Sequence, residues 1–190
     1  MKPLYAIFAA LAATSIVAVA ADTLAPLPPG WIVSGAAPEL YKAGIDHHQT
    51  VSGKGAKYLG SVDAGGGKSW GTLMQMFGAE KYRGKRIRLQ ARVKTADISN
   101  WAGLWMRVDA KEGKPTAFYN SQDKPIKGST DWTLRSVVLD VSPDASGIAF
   151  GVIANGSGQV WIDDITVDAV PTSVPVDHFA VQALPTAPAL

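Results

Sequence analysis

The side chains able to do acid-base, nucleophilic or metal chemistry are few in this chain of 190 residues, which holds three His, 16 Asp and Glu, and no Cys. His47 and His48 are adjacent, so on a strand they would project to opposite sides and could not share one ion at the i, i+2 or i, i+4 spacing that metal sites use. They read as a solvated loop pair, and His178 lies in the C-terminal tail. Without Cys there is no thiol catalysis, no Cys-ligated zinc and no disulfide. No GxSxG-type elbow presents a serine nucleophile. Glycoside hydrolysis needs two carboxyl groups flanking the scissile bond, and Glu39, Glu80, Glu112 and the Asp residues form no local pair. The run Gly65-Gly66-Gly67-Lys68-Ser69 lacks the upstream Gly of a phosphate-binding loop and reads as a flexible connection. The basic stretch Lys81, Arg83, Lys85, Arg86, Arg88 could meet a polyanion. Two of its members are the outward residues of a strand, however, and a net charge of +2 gives no general reason to bind nucleic acid or acidic lipid.

Recognition is better supplied than catalysis. In Trp101-Ala102-Gly103-Leu104-Trp105-Met106-Arg107-Val108-Asp109 the even positions are apolar, and Trp101, Trp105, Arg107 and Asp109 share the other side. Sugars have apolar C–H faces that stack on aromatic rings and hydroxyls that need directional partners, and this face offers both. The outward residues Arg88, Gln90 and Arg92 of the preceding strand would extend that face if the two strands pair, or meet through one intervening strand. The competing reading has the face covered by other chain, with Trp101 and Trp105 as packing residues. Trp31, Trp70, Trp132 and Trp161 adjoin turns or strand edges and read as structural.

The elements that must position these residues are strands. The chain is 47% hydrophobic and 18% charged with 19 Gly and 12 Pro, enough apolar content for one packed domain. Between Trp31 and Val170, short apolar-polar alternations are broken by Gly, Asn, Asp and Pro about every dozen residues, and no long helical period or internal repeat occurs. This predicts an all-β fold, an antiparallel β-sandwich. Strands are expected at Arg86 to Lys94, Trp101 to Asp109 and about Trp132 to Val141. A hairpin is expected in IAFGVIANGSGQVWIDDITV, with its turn at Asn155-Gly156-Ser157-Gly158. The Asn155-Gly156-Ser157 sequon is read as turn chemistry. Ile87, Leu89, Val93, Leu104, Met106, Val108, Val138, Phe150, Val152 and Ile165 form the expected core. Residues 1-21 have one Lys, an apolar run and a small-residue exit, the pattern of a secretory signal peptide cleaved after Ala20 or Ala21. Residues 22-30 are an extended linker, 31-170 the domain, and 171-190 a Pro- and Ala-rich tail. The expected location is periplasmic or extracellular, with no stable membrane insertion once the leader is removed.

The segments WGTLMQMFGAEKYRGKRIRLQARVKT, WAGLWMRVD and DWTLRSVVLDVSPDASGIAFGVIANGSGQVWIDDITV resemble galactose-binding-like jelly-roll domains of the carbohydrate-binding-module type. Closer still is the likeness to poorly characterised bacterial domains with WAGLWMRVD and KPIKGSTDW-like segments, some attached to helix-turn-helix regulators. The likeness spans Trp31 to Val170 and implies the jelly-roll fold. No helix-turn-helix segment is present, so DNA binding is not carried over. The resemblance also implies a structural calcium ion near the last strand, where Asp163 or Asp164 of WIDDI matches the acidic position. The alternative there is an Asp that closes the strand through backbone hydrogen bonds.

These readings together lead to a secreted, noncatalytic module for a saccharide or other small polar ligand, held by the aromatic and polar face of one sheet. The alternatives are a periplasmic module whose protein partner covers the same face, and a glycan-active enzyme with acids brought from distant loops.

Overall fold

A computed structural model describes residues 24–62 and 69–179. The leader, the Gly65-Gly66-Gly67 run and the last eleven residues of the tail lie outside the described residues. Among the described residues nine strands run in chain order: β1 (Trp31–Gly35), β2 (Tyr41–Asp46), β3 (Ala56–Ser61), β4 (Trp70–Gly78), β5 (Arg86–Ala110), β6 (Pro115–Tyr119), β7 (Ile126–Asp140), β8 (Ala145–Asn155) and β9 (Gln159–Val170). All pairings are antiparallel. No helix among the described residues is long and apolar enough to cross a membrane.

The 25-residue β5 joins the two expected central strands into one and belongs to two sheets. Its first half, Arg86 to Ala96, lies between β7 and β9, giving the order β2-β3-β9-β5-β7. Its second half, Trp101 to Ala110, lies between β8 and β6, giving β1-β4-β8-β5-β6. Register shifts accumulate between Val93 and Ala102, and Asp97 adopts φ 53. Bulges bend and twist a strand, which is how one strand can leave a sheet and enter the facing one. The residues facing the core switch accordingly. Ile87, Leu89, Ala91 and Val93 are buried in the first half, and Ala102, Leu104, Met106 and Val108 in the second. Between the sheets these pack with Leu59, Leu73, Val137, Leu139, Ile148, Phe150, Val152, Val160 and Ile162 as one core.

The fold is thus the expected antiparallel jelly-roll β-sandwich, with two local differences. The Asn155 to Gly158 turn is not a hairpin, because β8 pairs with β4 and β5 whereas β9 pairs with β3 and β5. The turn is an arch from one sheet to the other. Gly156 at φ 82 and Gly158 at φ 118 allow the change of direction. Tyr41 Oη donates to the Gly156 carbonyl at 2.8 Å, and Gly156 N–H donates to the Ser69 carbonyl at 2.7 Å. Among the expected core residues, Ile165 is only partly buried against the core, and Val138 is buried on the outer side of its sheet.

The described parts of both flanking segments run along sheet edges, and Leu27 and Val176 pack against the core. Ala25 exchanges two backbone hydrogen bonds with Ile45 of the edge strand β2. Asp177 exchanges backbone contacts with Val138 of the edge strand β7, donating its N–H to the Val138 carbonyl and accepting the Val138 N–H on Oδ2, each at 2.9 Å. Covering an edge in this way removes a template for unwanted strand pairing.

Candidate binding trough

The sheet β1-β4-β8-β5-β6 turns its non-core face outward, and the register places four cross-strand rows on it. These are Trp70-Asn155-Trp101, Thr72-Ile153-Gly103, Met74-Gly151-Trp105 and Met76-Ala149-Arg107, with Phe118 of β6 opposite Arg107. The two central strands place the small residues Gly103, Gly147, Ala149 and Gly151 among their larger ones here, while Trp70, Thr72, Met74 and Met76 of β4 and Phe118 of β6 stand at the sides. Small residues in the middle and large ones at the sides make a hollow. One part, about 420 Å³, is lined by residues including Ile32, Trp70, Thr72, Trp105, Arg107 and Phe118. The adjoining part, about 310 Å³, adds Trp101, Asn120, Gln122 and Asn155. Trp70, Phe118 and Ile153 line both parts, so the two form one trough.

Trp105 forms the floor rather than a free stacking surface. Its indole reaches across β8 at Gly151 and donates from Nε1 to Thr72 Oγ1 on β4 at 2.7 Å, and the Thr72 hydroxyl donates onward to the Val152 carbonyl at 2.9 Å. It packs with Ala149, Ile153, Met74 and Trp101 and is only 6% exposed. Gly151 is required at this crossing, since a Cβ there would lie 2.2 Å from the Leu73 carbonyl oxygen. The aromatic faces open to solvent belong instead to Trp70, 38% exposed, and Phe118, 44% exposed. Arg107 is not free either. Its Nε lies 2.9 Å from Oδ1 and its Nη2 2.9 Å from Oδ2 of the buried Asp109, a two-point pair that cancels its charge.

The structure therefore brings Trp101, Trp105, Arg107 and Asp109 onto one face, as their alternation requires. It does not bring Arg88, Gln90 and Arg92 to them. Those residues lie on the first half of β5, whose outward side is the outer face of the other sheet, across the core. The expectation that the two strands pair, or meet through one intervening strand, is corrected: they are consecutive parts of one strand that changes sheets. Sequence reading also missed Trp70, Phe118, Asn120, Gln122 and Asn155. Trp70 begins the alternation Trp70, Thr72, Met74, Met76 on β4, a signal that was available. Among the other tryptophans, Trp161 is buried with Nε1 donating to Asp46 Oδ2 at 2.9 Å, and Trp31 packs edge-on to Phe150. His47 and His48 are exposed.

Asp163 and Asp164 do not fit a calcium site. Asp163 is buried, and its Oδ2 accepts the N–H groups of Val51 at 2.7 Å and Ser52 at 2.9 Å and the Thr50 hydroxyl at 2.9 Å. Its Oδ1 accepts the Ser52 hydroxyl and the Asp164 N–H, both at 2.8 Å. A carboxylate ringed by N–H and O–H donors offers no lone pair to a cation and stands among positive dipole ends. Burial pushes the pKa of this carboxyl up, but the hydrogen bonds from Ser52, Val51 and Asp164 outweigh that and hold it at about 2. Asp164 is exposed at φ 52. Among the described residues no group of three His, Cys, Asp or Glu is placed to hold a metal.

No protein-family model matches the chain. It is similar to the uncharacterized HTH-type transcriptional regulator YbfP of Bacillus subtilis (strain 168), 40% identical over 146 residues that cover 77% of this chain and 50% of the relative. The chain thus spans about half the length of that curated relative. Among solved structures, it is similar to the xylan-binding domain from CBM22 (TM-score 0.54, 10% identity, covering 74% of this chain and 87% of that one). It is likewise similar to the CBM22-1 xylan-binding domain from Paenibacillus barcinonensis Xyn10C (TM-score 0.52, 12% identity, 76% and 88%). A third is the CBM22-1-GH10 part of Clostridium thermocellum xylanase 10B complexed with xylohexaose (TM-score 0.53, 13% identity, 74% and 26%). At such identities the likeness is one of fold: the chain shares the jelly-roll sandwich of these carbohydrate-binding modules.

Proposed function

We propose that this protein is an exported, noncatalytic saccharide-binding module that holds a neutral glycan in the trough on the outer face of β1-β4-β8-β5-β6. The observation that carries the reading is the composition of that trough. Two exposed aromatic side chains, Trp70 and Phe118, flank an apolar floor, and Asn120, Gln122 and Asn155 supply both donors and acceptors around it. Such a site matches a sugar, with apolar faces for the rings and amides for the hydroxyls. The pairing of Arg107 with Asp109 leaves the described lining of the trough without net charge, which favours an uncharged chain over a polyanionic one. The CBM22 neighbours, described as xylan-binding, support the same class of ligand. The resemblance of the WAGLWMRVD region to galactose-binding-like domains, and the half-length match to a regulator, are consistent with a sensing or anchoring half that is reused beside different partners. A helix-turn-helix does not occur among the described residues, and no DNA-binding role is proposed.

Affinity electrophoresis and calorimetry on a panel of neutral and acidic polysaccharides test this. Xylan or another neutral polysaccharide is expected to retard the protein, with little effect of salt. Trp70→Ala and Phe118→Ala should each weaken binding about fivefold, since a stacked aromatic face contributes roughly 1 kcal/mol. No sugar should be released on prolonged incubation, because the trough has no pair of free carboxyl groups among its described residues. If the wild type ignores every polysaccharide, or both variants bind as the wild type does, the reading is wrong. A protein partner recovered on the same face would then take its place.

A further inference from the structure

The inward positions of β7 read Thr133, Arg135, Val137 and Leu139, so an arginine occupies a register position that faces between the sheets. β7 is an edge strand, and Arg135 therefore points into the open mouth of the sandwich rather than into its centre. A crevice of about 220 Å³ lies there, and its lining includes Arg135, Ser136, Lys124, Tyr119, Ser121 and Asp177. This is several times the roughly 30 Å³ share of one water. Arg135 Nε is buried with no hydrogen-bond partner among the described residues. Its side chain makes no ion pair among them either. The one carboxylate in the lining, that of Asp177, is already engaged, with Oδ1 3.0 Å from Lys124 Nζ and Oδ2 accepting the Val138 N–H.

A guanidinium is charged at every physiological pH and presents parallel N–H groups matched to a carboxylate. A buried donor left without an acceptor is costly, and such a group in a native fold calls for an explanation. We propose that this edge crevice is a second site, which takes a small carboxylate on Arg135. Ser136 and Ser121 stand beside it in the lining, and the Lys124–Asp177 pair at the mouth adds no net charge. The site is separate from the trough: residues 118–122 form the rim between them, with Phe118, Asn120 and Gln122 lining the trough and Tyr119 and Ser121 the crevice. It does not depend on the glycan reading.

The test titrates the full chain with sodium glucuronate, with sodium acetate and with methyl glucoside as the uncharged control, at constant ionic strength. Glucuronate should bind saturably, raise the melting temperature, and shift the Arg135 Nε–H resonance with the same midpoint. Methyl glucoside, a neutral sugar of the kind the trough is proposed to take, should leave the Arg135 Nε–H resonance unmoved. Arg135→Gln should weaken glucuronate binding at least tenfold, and Arg135→Lys, which keeps the charge but not the fork, should not restore wild-type affinity. Trp70→Ala should leave it unchanged, which separates this site from the trough. Acetate binding as tightly as glucuronate would mean that the carboxylate alone is read, and weaker acetate binding that a ring is read as well; both support the site. Absence of a saturable response to either carboxylate, or a stationary Arg135 Nε–H resonance during a titration that does saturate, overturns it. The resonance is read on the wild type, so the outcome stands even if the Arg135 variants fold poorly.

Discussion

Replacing Asp163 by Asn removes the acceptor that gathers the loop from Thr50 to Ser52 onto β9. The carboxylate accepts three backbone N–H groups and two hydroxyls, and an amide can match only part of that set, because its NH₂ end would face donors. The folded protein holds this carboxyl at about 2 against an ordinary 3.8. At about 1.4 kcal/mol for each unit of displacement, the difference corresponds to about 2 kcal/mol of stability at neutral pH. A depressed carboxyl contributes fully above the unfolded value and loses that contribution as pH falls from about 3.8 through about 2. Urea unfolding of wild type and Asp163→Asn between pH 7 and pH 2 reads this directly. The stability gap between them should be about 2 kcal/mol at pH 7, hold to about pH 4, and narrow toward pH 2. Calcium and a chelator should give the same melting temperature, since the carboxylate's acceptor capacity is spent on the loop. A gap that is the same at pH 7 and pH 2, or a wild type stabilised by calcium in a manner lost in Asp163→Asn, would refute the assignment of Asp163 as a loop anchor.

Trp105→Ala should destabilise the fold by about 3 to 5 kcal/mol in chemical denaturation, the range for deleting a packed aromatic, because the indole is buried and hydrogen-bonded to Thr72. A loss below about 1 kcal/mol would show the trough floor to be loosely packed. Asp177→Ala should cost about 1 to 2 kcal/mol, and should speed hydrogen exchange at the Val138 amide by uncovering the edge of β7.

Alternation along the chain was enough to read which side chains point inward. Ile87, Leu89 and Val93, and Leu104, Met106 and Val108, are buried as their spacing requires, and Trp101, Trp105, Arg107 and Asp109 share one outward face. Period-two patterning reports the side of a strand a residue is on, since neighbouring Cβ atoms point to opposite faces. It does not report which sheet the strand belongs to or what lies beside it. For that reason Arg88, Gln90 and Arg92 looked contiguous with Trp105, whereas the bulged turn of β5 sends them to the far side of the sandwich. The Asn-Gly turn after β8 has the local chemistry of a hairpin, but pairing of β8 with β4 and of β9 with β3 makes it an arch. Trp70 and Phe118 are 48 residues apart in the chain and become the two exposed aromatics of one trough only when β4 and β6 take their places in the sheet. Inward and outward are set by steric geometry within a few residues, whereas neighbours across a sheet are set by pairings between distant segments that bury the most apolar surface together. Only the tertiary structure decides those pairings, and with them the shape of the trough.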